Sequence, residues 1–104
     1  MSRIYNKLVR DRIPEIIEES GRRCVIEILS ETDYIRMLDK KLDEELAEYH
    51  KDQNIEELAD LLEVIQAIIV ARGFSLDELE KLRAEKAQQR GRFTRKVFLK
   101  EVLE

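Results

Sequence analysis

Glu45 with Glu48, and Glu57 with Asp60, form two acid pairs, each spaced i, i+3. Side chains at that spacing share one patch of helix surface and can converge on one point. At roughly 100° per residue, Tyr34, Ile35, Met37, Leu38, Leu42, Leu46 and Tyr49 fill one apolar sector of a first helix, and Glu45 and Glu48 fall within it. On a second helix Leu58, Leu61, Leu62, Val64, Ile65, Ile68 and Ile69 make a wider stripe, with Glu57 and Asp60 at its flank. Glu44, Glu56 and Glu63 fall outside these sectors. Carboxylates taken from water without a partner cost several kcal/mol each, and neighbouring ones repel. A hard divalent cation, Mg²⁺ or Mn²⁺, is the neutralising group such oxygen donors suit. The structural alternative makes two of the acids ordinary solvated helix residues and Glu57 a capping residue, paired with Asn54 as N-cap. It accounts for each acid singly and leaves the matched offsets of four unexplained.

The elements that must position these acids read as follows. Pro14 suits the first turn of a short helix that Gly21 terminates. Arg22–Leu29, with Cys24, Val25, Ile26, Ile28 and Leu29, predicts a short strand. Ser30 with Asp33 starts a long helix to about Lys51, and Asp52, Gln53 and Asn54 make a turn. The next helix runs from Ile55 to about Arg72, with Gly73 as its stop. Ser75 with Glu78 opens a third long helix, which Gly91 ends. The tail Arg92–Glu104 carries Phe93, Val97, Phe98, Leu99, Val102 and Leu103, too many apolar groups to leave in water, and is expected to dock as a strand or short helix. Antiparallel packing of the two acid-bearing helices would face one pair with the other.

Composition bounds the reading. A chain of 104 residues is expected to be one domain, spanning 1–104, with roughly two-thirds of its unfolded surface buried. Charged residues are 40% of the sequence with both signs interspersed, and the net charge of −4 gives no reason to expect nucleic acid as a partner. One cysteine, Cys24, precludes an intrachain disulfide. No apolar run approaches the roughly 18 residues that span a bilayer, so the expectation is a cytoplasmic protein with no membrane association.

The stretch Glu44-Glu45-Leu46-Ala47-Glu48, followed by Glu57-Leu58-Ala59-Asp60, resembles the paired EExxE and ExxD signature of the all-α nucleoside triphosphate pyrophosphohydrolases, the group of the MazG proteins and phosphoribosyl-ATP pyrophosphohydrolase. The opening Tyr5-Asn6-Lys7-Leu8-Val9-Arg10-Asp11-Arg12-Ile13-Pro14 is similar to the start of a MazG-like subgroup of house-cleaning enzymes. The resemblance implies a mainly α fold, a helical bundle preceded here by the short N-terminal strand. It implies hydrolysis of a nucleoside triphosphate to a monophosphate and pyrophosphate, with Mg²⁺ (or Mn²⁺) held by Glu45, Glu48, Glu57 and Asp60, one of which orients or deprotonates the attacking water. Phosphoribosyl-ATP is the alternative substrate. Outside catalysis, the acids would serve a helical metal-binding or interaction module.

Phosphates also call for direct cations. Lys41 lies one turn before Glu45 and on its side, where it either reaches phosphates or pairs with Glu45. Lys7, Arg10 and Arg12 near the N-terminus, and Lys86 and Arg90 on the third long helix, are further phosphate-binding candidates. His50 suits a helix C-terminus and Cys24 a buried apolar position, so neither enters the site. Tyr34 and Tyr49 fit the core stripe better than base stacking. Stripes this wide exceed what one such chain can cover, so a homodimer or dimer of dimers is expected, with Lys86, Arg90, Arg92 or Arg95 serving a partner's site.

Overall fold

The computed structural model describes residues 2–104. Its helices are α1 (Ile13–Glu19), α2 (Glu31–Asp52), α3 (Ile55–Ala71) and α4 (Leu76–Arg90), a mainly α architecture. Each of the three long helices begins where a side chain takes up one of its free N–H groups. Ser30 Oγ accepts from the Asp33 N–H at 3.2 Å, Asn54 Oδ1 from the Glu57 N–H at 3.0 Å, and Ser75 Oγ from the Glu78 N–H at 3.1 Å. The stops are equally local. Gln53 takes φ 51° and donates its N–H to the Tyr49 carbonyl at 2.7 Å, while Gly73 supplies φ 89° after α3.

With only Gln53 and Asn54 between them, α2 and α3 fold back as an antiparallel hairpin. Arg72 of the α3 C-terminus reaches Asp39 of α2 at 3.2 Å and ties the open end. Between the helices lie the most enclosed side chains among the described residues, Leu38 and Val64, 3% and 8% exposed. α4 packs on α3 alone, and α1 packs on no helix.

Two expectations fail. Arg22–Leu29 forms no strand, and Val25, Ile26 and Ile28 stand exposed. A strand needs a second one to take its N–H and C=O groups, and no described residue offers a ladder. The tail does not dock either: beyond a turn closed by the Lys96 N–H on the Phe93 carbonyl at 3.2 Å it has no regular structure. Phe93 is 98% exposed, and Val97, Phe98, Leu99, Val102 and Leu103 are exposed with it.

The consequence is an extended molecule. Its accessible surface is 10010 Å², where a compact monomer of 12.4 kDa would show roughly 6,100 Å². Its radius of gyration is 18.5 Å against about 13 Å for a compact domain of this length. No described helix is long and apolar enough to cross a membrane.

Candidate metal centre

The hairpin brings the predicted acids together. One oxygen from each of Glu45, Glu57 and Asp60 lies within 4.8 Å of the others, and a second group of the same dimension comprises Glu48, Asp52 and Glu57. Glu57 belongs to both. The N-cap explains why: Asn54 fixes the first turn of α3, and with it the direction in which the Glu57 side chain leaves the helix. Glu57 thus gives its backbone N–H to the Asn54 cap and its carboxylate to both clusters.

Burial grades along the seam. The Glu45 side chain is 15% exposed, Glu57 and Asp60 are half-buried, and Glu48 is exposed. Angular reasoning places Glu48 in the apolar sector, but near the turn of the hairpin its side chain stays exposed. Glu57 shows the electrostatic strain of the cluster. Its carboxyl is pushed above the ordinary range first by loss of water, then by the negative charges of Asp52, Asp60, Glu48 and Glu45.

Asp52 is the residue that sequence reasoning missed. Assigned to a turn, it is the last residue of α2 and stands i+4 from Glu48, the spacing that would have revealed it.

Two cations flank the acids. Lys41 Nζ lies 3.5 Å from Glu45 Oε1 and 3.6 Å from Glu44 Oε2, with its side chain 19% exposed. The pairing of Lys41 with Glu45 is formed. Arg10 Nη2 donates to Asp60 Oδ1 at 2.9 Å, bridging the N-terminal segment to α3. The other basic candidates stand elsewhere. Lys7 lies over the Tyr5 ring, 5.7 Å from its centroid, and Arg12 Nε donates to Glu15 at 3.2 Å. Lys86 and Arg90 are exposed on α4 and form no ion pair among the described residues. The reason is topological, since α4 does not touch α2. Glu44 is held by Lys41 outside the clusters, and Glu56 and Glu63 are exposed and join neither cluster. His50 sits in the last turn of α2 as a dipole partner, and Cys24 is half-buried, its thiol 3.8 Å from the Pro14 carbonyl.

Two clefts border α3 away from the acids. One, of about 520 Å³, has Tyr34, Glu63, Ala67 and Leu76 in its lining, and the other, of about 630 Å³, has Leu62, Gln66, Leu79 and Arg83. None of the five carboxylates lines either one.

The donor set fits a hard cation. Metal–oxygen distances of about 2.1 Å put neighbouring ligand oxygens about 3 Å apart and opposite ones about 4.2 Å apart. The three carboxylate oxygens, within 4.8 Å of one another, stand close to that spacing.

No family profile matches this chain, and no solved structure matches it. An uncharacterized protein of Mycolicibacterium smegmatis is 62% identical over 42 residues, covering 40% of this chain and 43% of that protein. The match thus spans less than half of its relative.

Proposed function

We propose that this chain is a metal-dependent nucleoside triphosphate pyrophosphohydrolase, cleaving its substrate to a nucleoside monophosphate and pyrophosphate. The observation that carries the reading is the pair of carboxylate groups sharing Glu57, built from the two halves of a signature resembling that of the MazG-like enzymes. The five carboxylates outnumber the two cations beside them, Lys41 and Arg10, and Lys41 is shared with Glu44, so the seam is net negative. Such a site rejects a bare triphosphate and attracts divalent cations.

Glu45, Glu57 and Asp60 would hold one Mg²⁺ or Mn²⁺, and Glu48 and Asp52, with Glu57 between the groups, a second. Held there, a divalent ion would neutralise phosphate charge and would supply a nucleophilic water at neutral pH. The chain's own contribution is placement. The N-cap at Asn54 holds Glu57 between the two groups, and Lys41 holds Glu45 in a shielded position. One of these carboxylates would, instead of ligating, orient or deprotonate the attacking water.

Assembly completes the reading. The surface of each chain exceeds that of a compact monomer by roughly 3,900 Å², more than the roughly 1,000–2,500 Å² per partner that typical obligate dimers bury. Two copies, or a dimer of dimers, joined through the exposed apolar groups of α3, the 22–29 segment and the tail would cover much of it.

The test is incubation with a panel of ribo- and deoxyribonucleoside triphosphates and phosphoribosyl-ATP, with and without Mg²⁺, reading pyrophosphate. Metal-dependent release is expected, falling at least about a hundredfold in Glu45→Gln and Asp60→Asn and little in Glu56→Gln or Glu63→Gln. Asp52→Asn should resemble the ligand variants. Mg²⁺ at a hundred times its Kd should also stabilise the fold by ~2.7 kcal/mol. Rate and metal dependence that survive both ligand substitutions would sink the assignment. The Arg10–Asp60 pair favours a second reading, in which the acids dock basic side chains; it predicts no pyrophosphate with any nucleotide.

A further inference from the structure

We infer that Arg10 is an exchangeable internal cation: it holds Asp60 while the site is free of metal and moves to the phosphates of the incoming metal–nucleotide complex. The inference rests on the metal-site reading above and concerns the order in which that site is loaded.

The side chain is placed for both positions. Its Nη2 lies 2.9 Å from Asp60 Oδ1 across 50 residues of sequence, and Asp60 belongs to the cluster formed with Glu45 and Glu57. The Arg10 backbone is anchored, because its carbonyl accepts the Ile13 N–H at 3.1 Å in the turn that opens α1. The side chain is not: it is 58% exposed, against 43% for Asp60, so rotation about its own bonds suffices to release the carboxylate. A guanidinium keeps its charge at every accessible pH and offers the same planar fork to a carboxylate or a phosphate. Lys41, the other cation at the seam, differs. It is largely enclosed and shared between Glu44 and Glu45 on its own helix, which suits a fixed charge.

The exchange has a definite sign. A free divalent ion must displace a competing cation from Asp60 and tolerate its charge nearby, so Arg10 weakens the binding of metal alone. A metal–triphosphate complex carries the negative charge that accepts the released guanidinium, so Arg10 strengthens binding of the complex. Coupling between metal and nucleotide is reciprocal. Arg10 therefore biases the chain toward taking up its ion together with the nucleotide.

The experiment measures two affinities by calorimetry on the full chain, Arg10→Ala and Arg10→Lys. One ligand is Mn²⁺ alone, and the other is the Mg²⁺ complex of a nucleoside triphosphate with a methylene in place of the α,β bridging oxygen. Arg10→Ala should bind Mn²⁺ about threefold more tightly, the scale of an exposed ion pair, and the analogue about tenfold more weakly, the scale of a charge-assisted hydrogen bond. Arg10→Lys should recover most of the analogue affinity. Both affinities falling together would show Arg10 to be a structural anchor, and neither changing would show it to be a bystander; either result overturns the exchange. A parent chain that binds Mn²⁺ and the analogue with such an Arg10→Ala result leaves the metal site standing. A parent that binds neither overturns the site and the exchange together.

Discussion

Leu38 in the α2–α3 hairpin and Phe98 in the tail are both large apolar side chains, yet one is 3% exposed and the other 83%. The difference is the distance to a partner. Leu38 meets α3 because a two-residue link returns the chain beside it, so local signals suffice to bury it. Among the described residues Phe98 has no element against it, and neither do Val25 and Ile28 in the 22–29 segment. Apolar pattern states that a residue is to be buried; only topology, or a second molecule, says against what.

That contrast predicts the largest effects. Leu38→Ala should destabilise the fold by ~2–5 kcal/mol, the cost of emptying a packed core position, by the same amount at any protein concentration. Phe98→Asp should act through association: with ~1.5–3 kcal/mol at stake for a buried phenylalanine, it should weaken a dimer about a hundredfold and make the melting temperature concentration-dependent in a lower range. Light scattering and melts at several concentrations separate the two. A parent chain that runs as a 12.4 kDa species at micromolar concentration would break the comparison, because Phe98 would then have no partner to lose.

The sequence was most legible where each signal has a local physical cause. Ser30, Asn54 and Ser75 mark the starts of α2, α3 and α4, since a short polar side chain at N-cap takes up an N–H three residues on. The four acids were legible because a 3.6-residue period places them beside an apolar face, and a short link brings the faces together. Asp52 was not, since helix ends slide by a residue or two in any reading from pattern. The strand over Arg22–Leu29 was misread because a run of Cys24, Val25, Ile26, Ile28 and Leu29 carries β-propensity but no information about a ladder partner. Arg10 was legible only as a phosphate candidate; its contact with Asp60, 50 residues away, depends on the path of the whole N-terminal segment.

A smaller effect sharpens the contrast between local and distant causes. Asn54→Ala removes the acceptor of the Glu57 N–H and should cost about 1 kcal/mol, as capping residues do. Because the same turn aims Glu57 into both carboxylate groups, the substitution should also weaken Mg²⁺ binding. Ser75→Ala, the equivalent cap on α4, should cost about as much stability and leave metal affinity unchanged. Equal metal affinities in the two variants would show that the first turn of α3 does not orient its acids.

The smallest effect is a pH dependence confined to the acid seam. Loss of water and the charges of Asp52, Asp60, Glu48 and Glu45 raise the folded-state pKa of Glu57 above that of an unfolded glutamate. Between the unfolded and the folded value, the folded chain therefore binds more protons, and the stability this contributes is lost as pH rises through the folded value. Without metal, the ionised form of Glu57 opposes folding. Glu57→Gln, which keeps the shape and removes the charge, should then melt slightly higher than the parent at pH 7, and the gap should close as the pH falls through the raised value. The effect is modest because water still reaches the side chain and screens its neighbours. In the proposed metal site the parent offers the ion a carboxylate that the glutamine variant lacks, so saturating Mg²⁺ should reverse the order at pH 7. Melts of both chains across pH, with and without the ion, give four curves. A Glu57→Gln curve that runs parallel to the parent throughout would mean that the acids on α2 and α3 do not sense one another.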